Sequence, residues 1–400
     1  MLKVVESIRK LMKRGKRMKI LHICVTGPYT DGLNYQENML TKYQAKARHE
    51  VHLIASQWEW SKGGKIKKHI GDNAYVNADN VCVKRLPIKG DKDVFYRYKR
   101  FSGFYEAIVE IAPEVIFVHN LQFFDIDKIV KYAKSHPVKI FADNHADFSN
   151  SARSKLAVAF YKIVWRYMAQ MIEPYTTKFY GVLPARVDFL KNVYKLPTEK
   201  CELLVMGADD EEVEKAGTIE NQRRVRNNLG ISKDYFLIVT GGKIDEWKTQ
   251  TLLLMKAVKA INDERLKLLI FGPVSDSIRA KFDEVFDGQK MSYVSWANTE
   301  QSYDYFAIAD LVIFPGRHSV YWEQAVGQGK PIVCKYWEGT THVDVGGNIR
   351  FLKKDSEEEI EKLILELLNK NDEYKAMCNA ASEKAKMKFS YAKISDESIS

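Results

Sequence analysis

The sequence predicts an α/β protein of two Rossmann-like, doubly wound parallel-sheet domains that face a shared cleft. Three observations predict it. Short apolar runs alternate with helical patterns, this alternation restarts near Cys201, and 400 residues at 46% hydrophobic content are too many for one small core. We expect residues 18–205 to form the first domain and residues 206–385 the second.

The first domain begins with the apolar run KILHICV after Met18. A helical pattern, NYQENMLTKYQAKAR, follows, and HEVHLIAS, VCVKRLPI, EVIFVHN, VKIFADNH and TKFYGVL are typical of further strands. Because these runs are apolar on both faces and alternate with helical segments, they predict a parallel sheet covered on both sides. Before the last of them, residues 151–175 predict one long helix.

The second domain begins near the run CELLVMG at 201–207, which is followed by a polar stretch to about Gly230. The runs YFLIVTGG, LKLLIFG, YVSWA, LVIFPG and PIVCKYW then alternate with helical segments up to the mid-380s. This pattern predicts a second parallel α/β domain. We expect residues 386–400 to form a tail that returns to the first domain.

The positive charge of the chain is concentrated at its start. Residues 1–19 contain eight lysines and arginines against one glutamate, so +7 of the net +10 lies there. Nucleic-acid binding is therefore not expected of the nearly neutral remainder. The basic N-terminal segment, residues 1–17, has apolar residues at helical spacing, which suits attachment to an anionic membrane surface; a solvated basic tail is the alternative.

The cysteines and the hydropathy pattern indicate the compartment. Five scattered cysteines without CxxC pairs fit free thiols in a reducing cytoplasm. No apolar run approaches the roughly 20 residues of a spanning helix, and residues 1–19 lack the uncharged core of a secretory signal. We expect a cytoplasmic protein with peripheral attachment to the inner face of the cell membrane.

Two features of the second domain predict an anion site. In VTGGKIDEWK, Gly242 ends a strand and lets backbone amides approach a ligand, and Lys243 and Lys248 flank the next helix start, where the helix dipole favours a diphosphate. Glu323 opens the helix WEQAVGQG. Its carboxylate can accept hydrogen bonds from the vicinal hydroxyls of a ribose, or it can simply complement the helix dipole.

The first domain places polar side chains at the ends of two neighbouring strands. His119 ends one strand, and DNHADFSNS at 143–151 follows the next. From this position His145 could donate a hydrogen bond or stabilise developing charge, and Asp147 could accept from a hydroxyl group. The alternative is a structural histidine. We take His145, Asp147 and His119 as candidate catalytic residues.

Two other patterns have two interpretations each. Asp125 and Asp127 form a D-x-D triplet typical of metal-dependent transferases, but Asp125 also fits a helix cap, which we favour.

In the helical segment SARSKLAVAFYKIVWRYMAQM, apolar residues alternate with Lys155, Lys162 and Arg166. It is either a helix packed on the core or a docking face for a lipid-linked acceptor.

Taken together, the motifs resemble those of retaining glycosyltransferases with the two-domain GT-B fold, of the family 4 type, over roughly residues 18–390. MKILHI, KARHEVHLIAS, APEVIFVHN, VMGADDEEV, LGISKDYFLIVTGGKIDEWK, LKLLIFG and WEQAVGQGKPIV follow in the family's order. The resemblance implies that Lys243 and Lys248 hold the donor diphosphate, although arginine is usual at the first position. It also implies that Glu323 binds the ribose and that Gly32 lets the diphosphate approach, a turn glycine being the alternative.

The sequence departs from this family at one loop. A first glutamate is usual eight residues before the ribose-binding one, and Pro315 stands there. The resemblance implies that Gly316, His318 and Ser319 take over contacts to the donor sugar and phosphate, with Arg317 as a further phosphate contact. It also implies that His145 lies against the transferred sugar and that no metal or other cofactor is needed.

These expectations combine into one function. We expect transfer of a sugar, with retention, from a nucleotide-diphosphate sugar to a hydroxyl of a growing glycan, plausibly a lipid-linked oligosaccharide, in bacterial polysaccharide biosynthesis. The alternatives are a nucleotide-sugar epimerase and a catalytically silent scaffold protein. The missing first glutamate is the feature that suggests the scaffold.

Overall fold

The computed structural model describes residues 16–61, 65–90, 100–148, 151, 154–369 and 372–400. The chain divides into two compact units, Met1–Leu204 with Ser395–Ser400, and Val205–Ile394. The last six residues thus belong to the first unit. The predicted basic segment 1–17 lies outside the described residues except for Lys16 and Arg17.

The first unit is organised around one large sheet. Its strands are β1 Lys19–Cys24, β2 Glu50–Ser56, β5 Ala74–Val76, β6 Cys82–Leu86, β7 Val115–His119, β8 Lys139–Asn144, β9 Thr176–Gly181 and β10 Cys201–Leu203; β3 Trp58–Trp60 and β4 Ile66–Lys68 form a separate hairpin. The sheet order is β10-β9-β8-β7-β1-β2-β6-β5. All pairs are parallel except β5 with β6. The strands predicted for this domain are confirmed, and β10, from the run CELLVMG that was predicted to begin the second domain, pairs with β9 in the first sheet instead. The strands β3, β4 and β5 were not predicted because each has only three residues.

Helices cover this sheet. They are α1 Gln36–Lys46, α2 Phe104–Ile111, α3 Ile126–Ala133, α4 Lys155–Phe160, α5 Arg166–Ile172 and α6 Pro184–Asn192. The main core contains Ile23, Ile116, Phe123 and Phe179, all with no measurable exposure. The single long helix predicted for 151–175 is instead a helical run from Lys155, with a π-helical turn at Tyr161–Trp165 between α4 and α5.

The second unit repeats the arrangement with a fully parallel sheet. Its strands are β11 Phe236–Gly241, β12 Leu266–Phe271, β13 Met291–Val294, β14 Leu311–Phe314, β15 Ile332–Lys335 and β16 Ile349–Leu352. The order is β13-β12-β11-β14-β15-β16. The helices are α7 Asp210–Ala216, α8 Ile219–Asn228, α9 Gln250–Ala260, α10 Asp276–Val285, α11 Thr299–Ala307, α12 Tyr321–Gly327, α13 Glu357–Leu368, α14 Asp372–Ala380 and α15 Lys386–Lys388, and α16 Tyr391–Glu397 spans the return to the first unit. The polar stretch after CELLVMG therefore forms two helices.

The strand orders define where each unit can bind a ligand. In the first sheet the chain proceeds outward from β1 in one direction and from β7 in the other, so the order switches between these neighbours. In the second sheet the switch lies between β11 and β14. Ligands of doubly wound sheets bind at the carboxyl ends of the strands that flank such a switch.

The described helices can be compared with the length and hydropathy of a membrane-spanning helix. None of the helices in the described ranges has both the length and the apolar character needed to cross a bilayer. None of the five cysteines, all of which lie within the described ranges, forms a disulfide, and three of them, Cys24, Cys201 and Cys334, are buried.

Candidate functional site

Glu323 lies next to the switch point of the second sheet, in the first turn of the helix α12 that follows β14. Its side chain is completely buried. Two histidines donate to the same carboxylate oxygen: His318 Nε2 and His342 Nε2 each lie 2.7 Å from Oε1. His318 comes from the loop before the helix, whereas His342 comes from the 3₁₀ turn Thr341–Val343 after β15.

The second oxygen of the Glu323 carboxylate is in a different situation. Oε2 is buried and has no hydrogen-bond partner among the described residues, and neither does Nδ1 of His342. A buried acceptor without a partner is costly, so it marks a position where a ligand donor would be stabilising. One carboxylate oxygen is thus fixed by protein groups and the other is left to accept.

The two histidines also decide the charge of Glu323. Burial by itself would raise the pKa of this carboxyl, but the charge and hydrogen bond of His318, followed by those of His342, outweigh burial and hold the pKa well below its usual range. Glu323 is therefore a carboxylate over the ordinary pH range. An anion can accept strongly from hydroxyl groups.

On the other side of the switch point, the segment that follows β11 contains a lysine, Lys248, whose ammonium group lies close to the backbone of Gly242. Gly242 has φ of +113°, and a Cβ at this glycine would lie 3.6 Å from Lys248 Nζ. Burial lowers the pKa of Lys248, with Asp245 opposing. Lys243 is different, since its side chain is 63% exposed and its Nζ lies 3.5 Å from Asp245 Oδ2. Of the two predicted lysines, Lys248 is the one placed over the glycine backbone.

The GRHS loop after β14 packs against the same segment. A Cβ at Gly316 would lie 3.2 Å from Gln250 Oε1 and 3.7 Å from the Lys248 Cα. The Arg317 guanidinium lies over the ring of Trp247, 4.6 Å from its centroid. Ser319 accepts at its carbonyl from Trp322 N–H. The structure therefore brings Gly242, Lys248, Gly316, Arg317, His318 and Glu323 to one edge of the second sheet, with Lys243 and Ser319 beside them.

The first unit has a second polar cluster at its own switch point. His119 ends β7 and Asp143 lies opposite it on β8. His119 Nδ1 is 2.8 Å from Asp143 Oδ2, and His145 Nε2 is 3.3 Å from the same oxygen. His119 and Asp143 are buried, whereas the His145 side chain is 27% exposed. His145 is the member of this cluster that a substrate can reach.

Asn120 connects the two strand ends. Its φ of +64° is in the left-handed region, which is uncommon outside glycine and tolerated best by asparagine and aspartate. In this conformation its N–H donates to Asp143 Oδ1 at 3.0 Å, and its Oδ1 accepts from the His145 N–H at 2.8 Å. Asn120 thereby fixes the backbone from which His145 projects.

Electrostatics couple Asp143 and His145. Burial alone would raise the pKa of Asp143, but the charges of His145 and His119 hold it well below its usual range. Burial alone would lower the pKa of His145, but the charge and hydrogen bond of Asp143 outweigh burial and raise it. A histidine with a raised pKa can donate a proton or stabilise negative charge near neutral pH.

The remaining predicted residues of the first unit lie nearby in sequence but in different settings. Asp147 Oδ2 accepts from Arg186 Nε at 3.4 Å, so its carboxylate is already paired. Gly32 has φ of +73°, and a Cβ there would meet nothing within 4 Å. The positive φ by itself explains why glycine occupies this position. Contact between Gly32 and a diphosphate stays a prediction.

The interpretation of Asp125 as a helix cap was wrong in one respect. Asp125 occupies the residue before α3, but its side chain does not cap that helix. It accepts from the Phe101 N–H at 2.7 Å and from Arg100 at 3.1 Å instead. Arg100 also pairs with Asp127 at 3.2 Å, so both aspartates of the D-x-D triplet bind an arginine.

Two groups of side chains combine residue types that bind metals in other proteins. These are His119, Asp143 and His145, and His318, Glu323 and His342, in each of which the ligand atoms lie within 4.8 Å of one another. In both groups the same nitrogens and oxygens are joined by hydrogen bonds. Hydrogen bonding thus accounts for both arrangements, and metal independence stays a prediction.

Sequence reasoning missed two functional candidates. His342 lies 19 residues beyond Glu323 in a segment without a motif, and His22 lies in the middle of an apolar strand. A histidine inside KILHIC is the one signal that could have been noticed, because a polar residue in a buried parallel strand requires a partner.

Comparison with known proteins adds independent information. Residues 221–385 match the family model described as glycosyl transferases group 1. This segment contains Gly242, Lys248 and Glu323. A search of curated protein sequences finds no match.

Solved structures resemble almost the whole chain. A glycosyltransferase from Rickettsia africae matches with a TM-score of 0.70 at 12% identity, covering 96% of this chain and 97% of that one. Anabaena Alr3699/HepE, solved in complex with UDP, matches with a TM-score of 0.68 at 12% identity, covering 95% and 98%. The fold is GT-B. WaaG, a glycosyltransferase involved in lipopolysaccharide biosynthesis, matches this GT-B chain with a TM-score of 0.62 at 13% identity, covering 95% and 99%.

Identities this low establish the GT-B fold and no more. The family match is made on sequence and concerns the second unit. Together they support glycosyl transfer as the class of reaction, with the second unit as the part of the GT-B chain that carries the matched domain.

Proposed function

We propose that this protein transfers a sugar from a nucleotide-diphosphate sugar to a hydroxyl of a growing glycan, with retention at the anomeric carbon. The observation that carries the proposal is the arrangement at the switch point of the second sheet. There the Lys248 ammonium stands over Gly242, and the Glu323 carboxylate keeps one buried oxygen that has no hydrogen-bond partner in the part of the chain that the structure describes. A diphosphate and a ribose hydroxyl are the donor groups that these two features suit.

The loop at the position of the usual family glutamate supports a diphosphate donor, because its residues GRHS include an arginine and a histidine and no acidic side chain. Arg317 is exposed and lies over the ring of Trp247, the residue before Lys248, while His318 hydrogen-bonds to the buried Glu323. A Cβ at Gly316 would lie 3.2 Å from Gln250 Oε1 and 3.7 Å from the Lys248 Cα, so glycine lets this loop pack closely against the Lys248 segment. In this proposal Arg317 and Lys248 bind the diphosphate, and the leaving group is stabilised without a metal ion.

On the first unit, His145 is the residue we assign to the transferred sugar. Its raised pKa and its exposure suit a group that donates to a sugar hydroxyl or stabilises developing charge. Asp147 is paired with Arg186. The Asp147 oxygen that binds Arg186 could accept from the acceptor hydroxyl only if this ion pair opened. His119 is buried and acts through Asp143.

A lipid-linked acceptor is supported by an exposed apolar stripe on the first unit. Leu156, Phe160, Ile163 and Tyr167 recur at helical spacing and are 84%, 42%, 69% and 60% exposed. Exposed apolar side chains in register are unusual for a surface helix and mark an interaction site. The segment 154–172 also contains three basic residues and no acidic one, which suits an anionic lipid surface. We propose that this stripe brings the enzyme to the inner face of a bacterial membrane.

Thermal stabilisation by nucleotides tests the donor site. UDP, GDP, ADP and CMP are added in turn to the wild type, to Glu323→Ala and to Lys248→Ala. A ligand present at a hundredfold excess over its dissociation constant adds about 2.7 kcal/mol to the free energy of unfolding. We expect one nucleotide to stabilise the wild type and neither variant. Stabilisation by none of them would favour the scaffold alternative.

A second assay separates transfer from epimerisation. The nucleotide sugar whose nucleotide binds is incubated with and without a glycan acceptor. Sugar transfer requires the acceptor, so product that accumulates equally in its absence would replace the transferase by the epimerase. A requirement for acceptor would support the transferase.

A further inference from the structure

A chain of buried hydrogen bonds runs from His119 to the C-terminal segment of the first unit. His119 Nε2 lies 2.9 Å from His22 Nδ1, and His22 Nε2 lies 2.6 Å from Gln44 Oε1. Gln44 Nε2 in turn lies 3.2 Å from Ser398 Oγ and 3.5 Å from the Ser395 carbonyl oxygen. Every one of these residues is at most 2% exposed. Because water does not reach these groups, each hydrogen bond of the chain must have one donor atom that carries a proton and one acceptor atom that offers a lone pair.

The protons of this chain can be placed by starting at the C-terminal end. Ser398 Oγ lies 2.7 Å from the Ser395 carbonyl oxygen, which can only accept. Ser398 donates its one proton there and offers Gln44 a lone pair. Gln44 must then direct its amide N–H groups toward Ser398 and its Oε1 toward His22.

This orientation determines the state of both histidines. Because Gln44 Oε1 is an acceptor, His22 carries its proton on Nε2. One extra proton is then shared by the His22–His119 pair, and the Asp143 carboxylate that hydrogen-bonds to His119 at 2.8 Å favours placing it there. Burial also lowers the pKa of His22 to about 3, so His22 is neutral and its Nδ1 is bare. His119 Nε2 must therefore donate to that nitrogen.

The other nitrogen of His119 faces a carboxylate. His119 Nδ1 lies 2.8 Å from Asp143 Oδ2, and Asp143 Oδ1 already accepts from the Asn120 N–H. An ionised carboxylate can only accept, so this nitrogen is a donor as well. Both ring nitrogens of His119 then carry protons.

We propose that His119 is held as an imidazolium by this hydrogen-bond chain, and that His22, Gln44 and the Ser395–Ser398 turn are positioning residues that impose its charge. The C-terminal six residues thereby control the electrostatics of a site more than 250 positions earlier in the sequence. Their return to the first unit gives the candidate site a fixed positive charge beside Asp143.

The groups that hydrogen-bond to His119, or that act on it through His22 or Asp143, can be named from each neighbouring element. They are His22 and the buried thiol of Cys24 on β1, Gln44 on α1, Asp143 on β8 and His145 after it. The charges of Glu37 and Arg186 act on His145 in opposite directions. Among these groups, Asp143 is the one that hydrogen-bonds to both His119 and His145.

The consequence for His145 follows from this shared carboxylate and rests on the proposed function. The positive charge of His119 already balances much of the charge of Asp143, which limits how far Asp143 can raise the pKa of His145. If His119 lost its second proton, the pKa of His145 would rise further. The chain to the C-terminus therefore adjusts the protonation of the residue that we assign to the sugar.

Nitrogen NMR of the full-length protein labelled with ¹⁵N-histidine tests the proposal without substrate. We expect both nitrogens of His119 to show the chemical shifts of a protonated imidazolium at pH 7, with His22 neutral and protonated at Nε2. His119→Asn and His22→Phe assign the signals. Gln44→Met removes the acceptor while preserving the volume, so His22 can shift its proton to Nδ1 and His119 should become neutral. The midpoint of the His145 titration should then move to higher pH.

The matched control is Gln44→Glu, which keeps an acceptor toward His22 and should leave the His22 proton on Nε2. A neutral His119 in the wild type would overturn the proposal. So would a His119 that stays an imidazolium in Gln44→Met when thermal unfolding shows that variant to be folded. Both results are independent of whether a nucleotide binds, so failure of this inference and failure of the proposed function are distinguishable.

Discussion

His342 Nε2 lies 2.7 Å from Glu323 Oε1 although 19 residues and a strand separate them, and both side chains are completely buried. The same oxygen accepts from His318 at 2.7 Å. A glutamate in the first turn of a helix would ordinarily face water. Glu323 is instead a buried anion that accepts hydrogen bonds from two histidines in different loops. Because these hydrogen bonds stabilise the fold, a substitution of Glu323 can be examined by the free energy of unfolding as well as by nucleotide binding.

Glu323→Gln should make the free energy of unfolding less dependent on pH. The folded-state pKa of Glu323 is lower than its unfolded value, so the carboxylate stabilises the fold above about pH 4.3 and this contribution is lost as the pH falls below that value. We expect the variant to be less stable by about 2 kcal/mol at pH 7. Urea unfolding at pH 7 and pH 3.5 measures the difference, which should shrink at the lower pH. A difference that is equal at both pH values would contradict the assigned charge.

Lys248 and Lys243 should contribute unequally to nucleotide binding. Lys248 stands over the Gly242 backbone, whereas Lys243 is mostly exposed and pairs with Asp245. A charge-assisted hydrogen bond to a diphosphate is worth about 1.5–3 kcal/mol, so Lys248→Ala should weaken nucleoside diphosphate binding at least tenfold. Lys243→Ala is the matched control and should weaken it less. Isothermal titration calorimetry decides, and equal losses would show that the two lysines act as a pair.

Trp247 should report on the donor site by fluorescence. Its side chain is 60% exposed and lies under the Arg317 guanidinium. If Arg317 moves to a bound diphosphate, the environment of the ring changes. We expect nucleotide to alter the emission of the wild type and of Trp296→Phe, which lacks another exposed tryptophan, but not that of Trp247→Phe. An unchanged response in Trp247→Phe would assign the signal to a different tryptophan.

The exposed stripe of α4 and α5 should determine binding to anionic vesicles. Leu156 and Ile163 each have most of their surface in water. Burying such a side chain in a membrane gains about 1.5–3 kcal/mol, so Leu156→Gln with Ile163→Gln should reduce vesicle partitioning more than tenfold. Ile219→Gln, an equally exposed position on the second unit, is the control. Co-sedimentation with vesicles measures the effect, and unaltered partitioning of the double variant would exclude this surface.

His145→Asn should separate catalysis from donor binding. The change retains a polar side chain but removes a group that can donate a proton near neutral pH. We expect kcat to fall by about 10²–10⁴ while nucleotide affinity stays within a factor of two to three. Steady-state kinetics with the donor and acceptor found by the transfer assay checks this, and a variant that loses nucleotide affinity instead would place His145 in the donor site.

Much of the fold was predictable because strand and helix periodicity is a local property. Runs such as EVIFVHN and YFLIVTGG are apolar on both faces, and only a covered parallel sheet can bury them. The short strands β3 to β5 could not be predicted, since their stability comes from pairing with neighbours rather than from their own residues. The capping role of Asp125 failed for the same reason: Phe101 and Arg100, distant in sequence, compete for its carboxylate.

By itself the sequence determined the alternation of elements, the concentration of charge at the N-terminus, and the glycine, lysine and glutamate positions at strand ends. These depend on spacing along the chain. Tertiary structure decided which side chains meet. It joined His342 to Glu323, separated the exposed Lys243 from Lys248, and connected His119 through His22 and Gln44 to the C-terminal serines. Hydrogen bonds form between atoms that packing brings within about 3 Å, and no local pattern encodes those encounters.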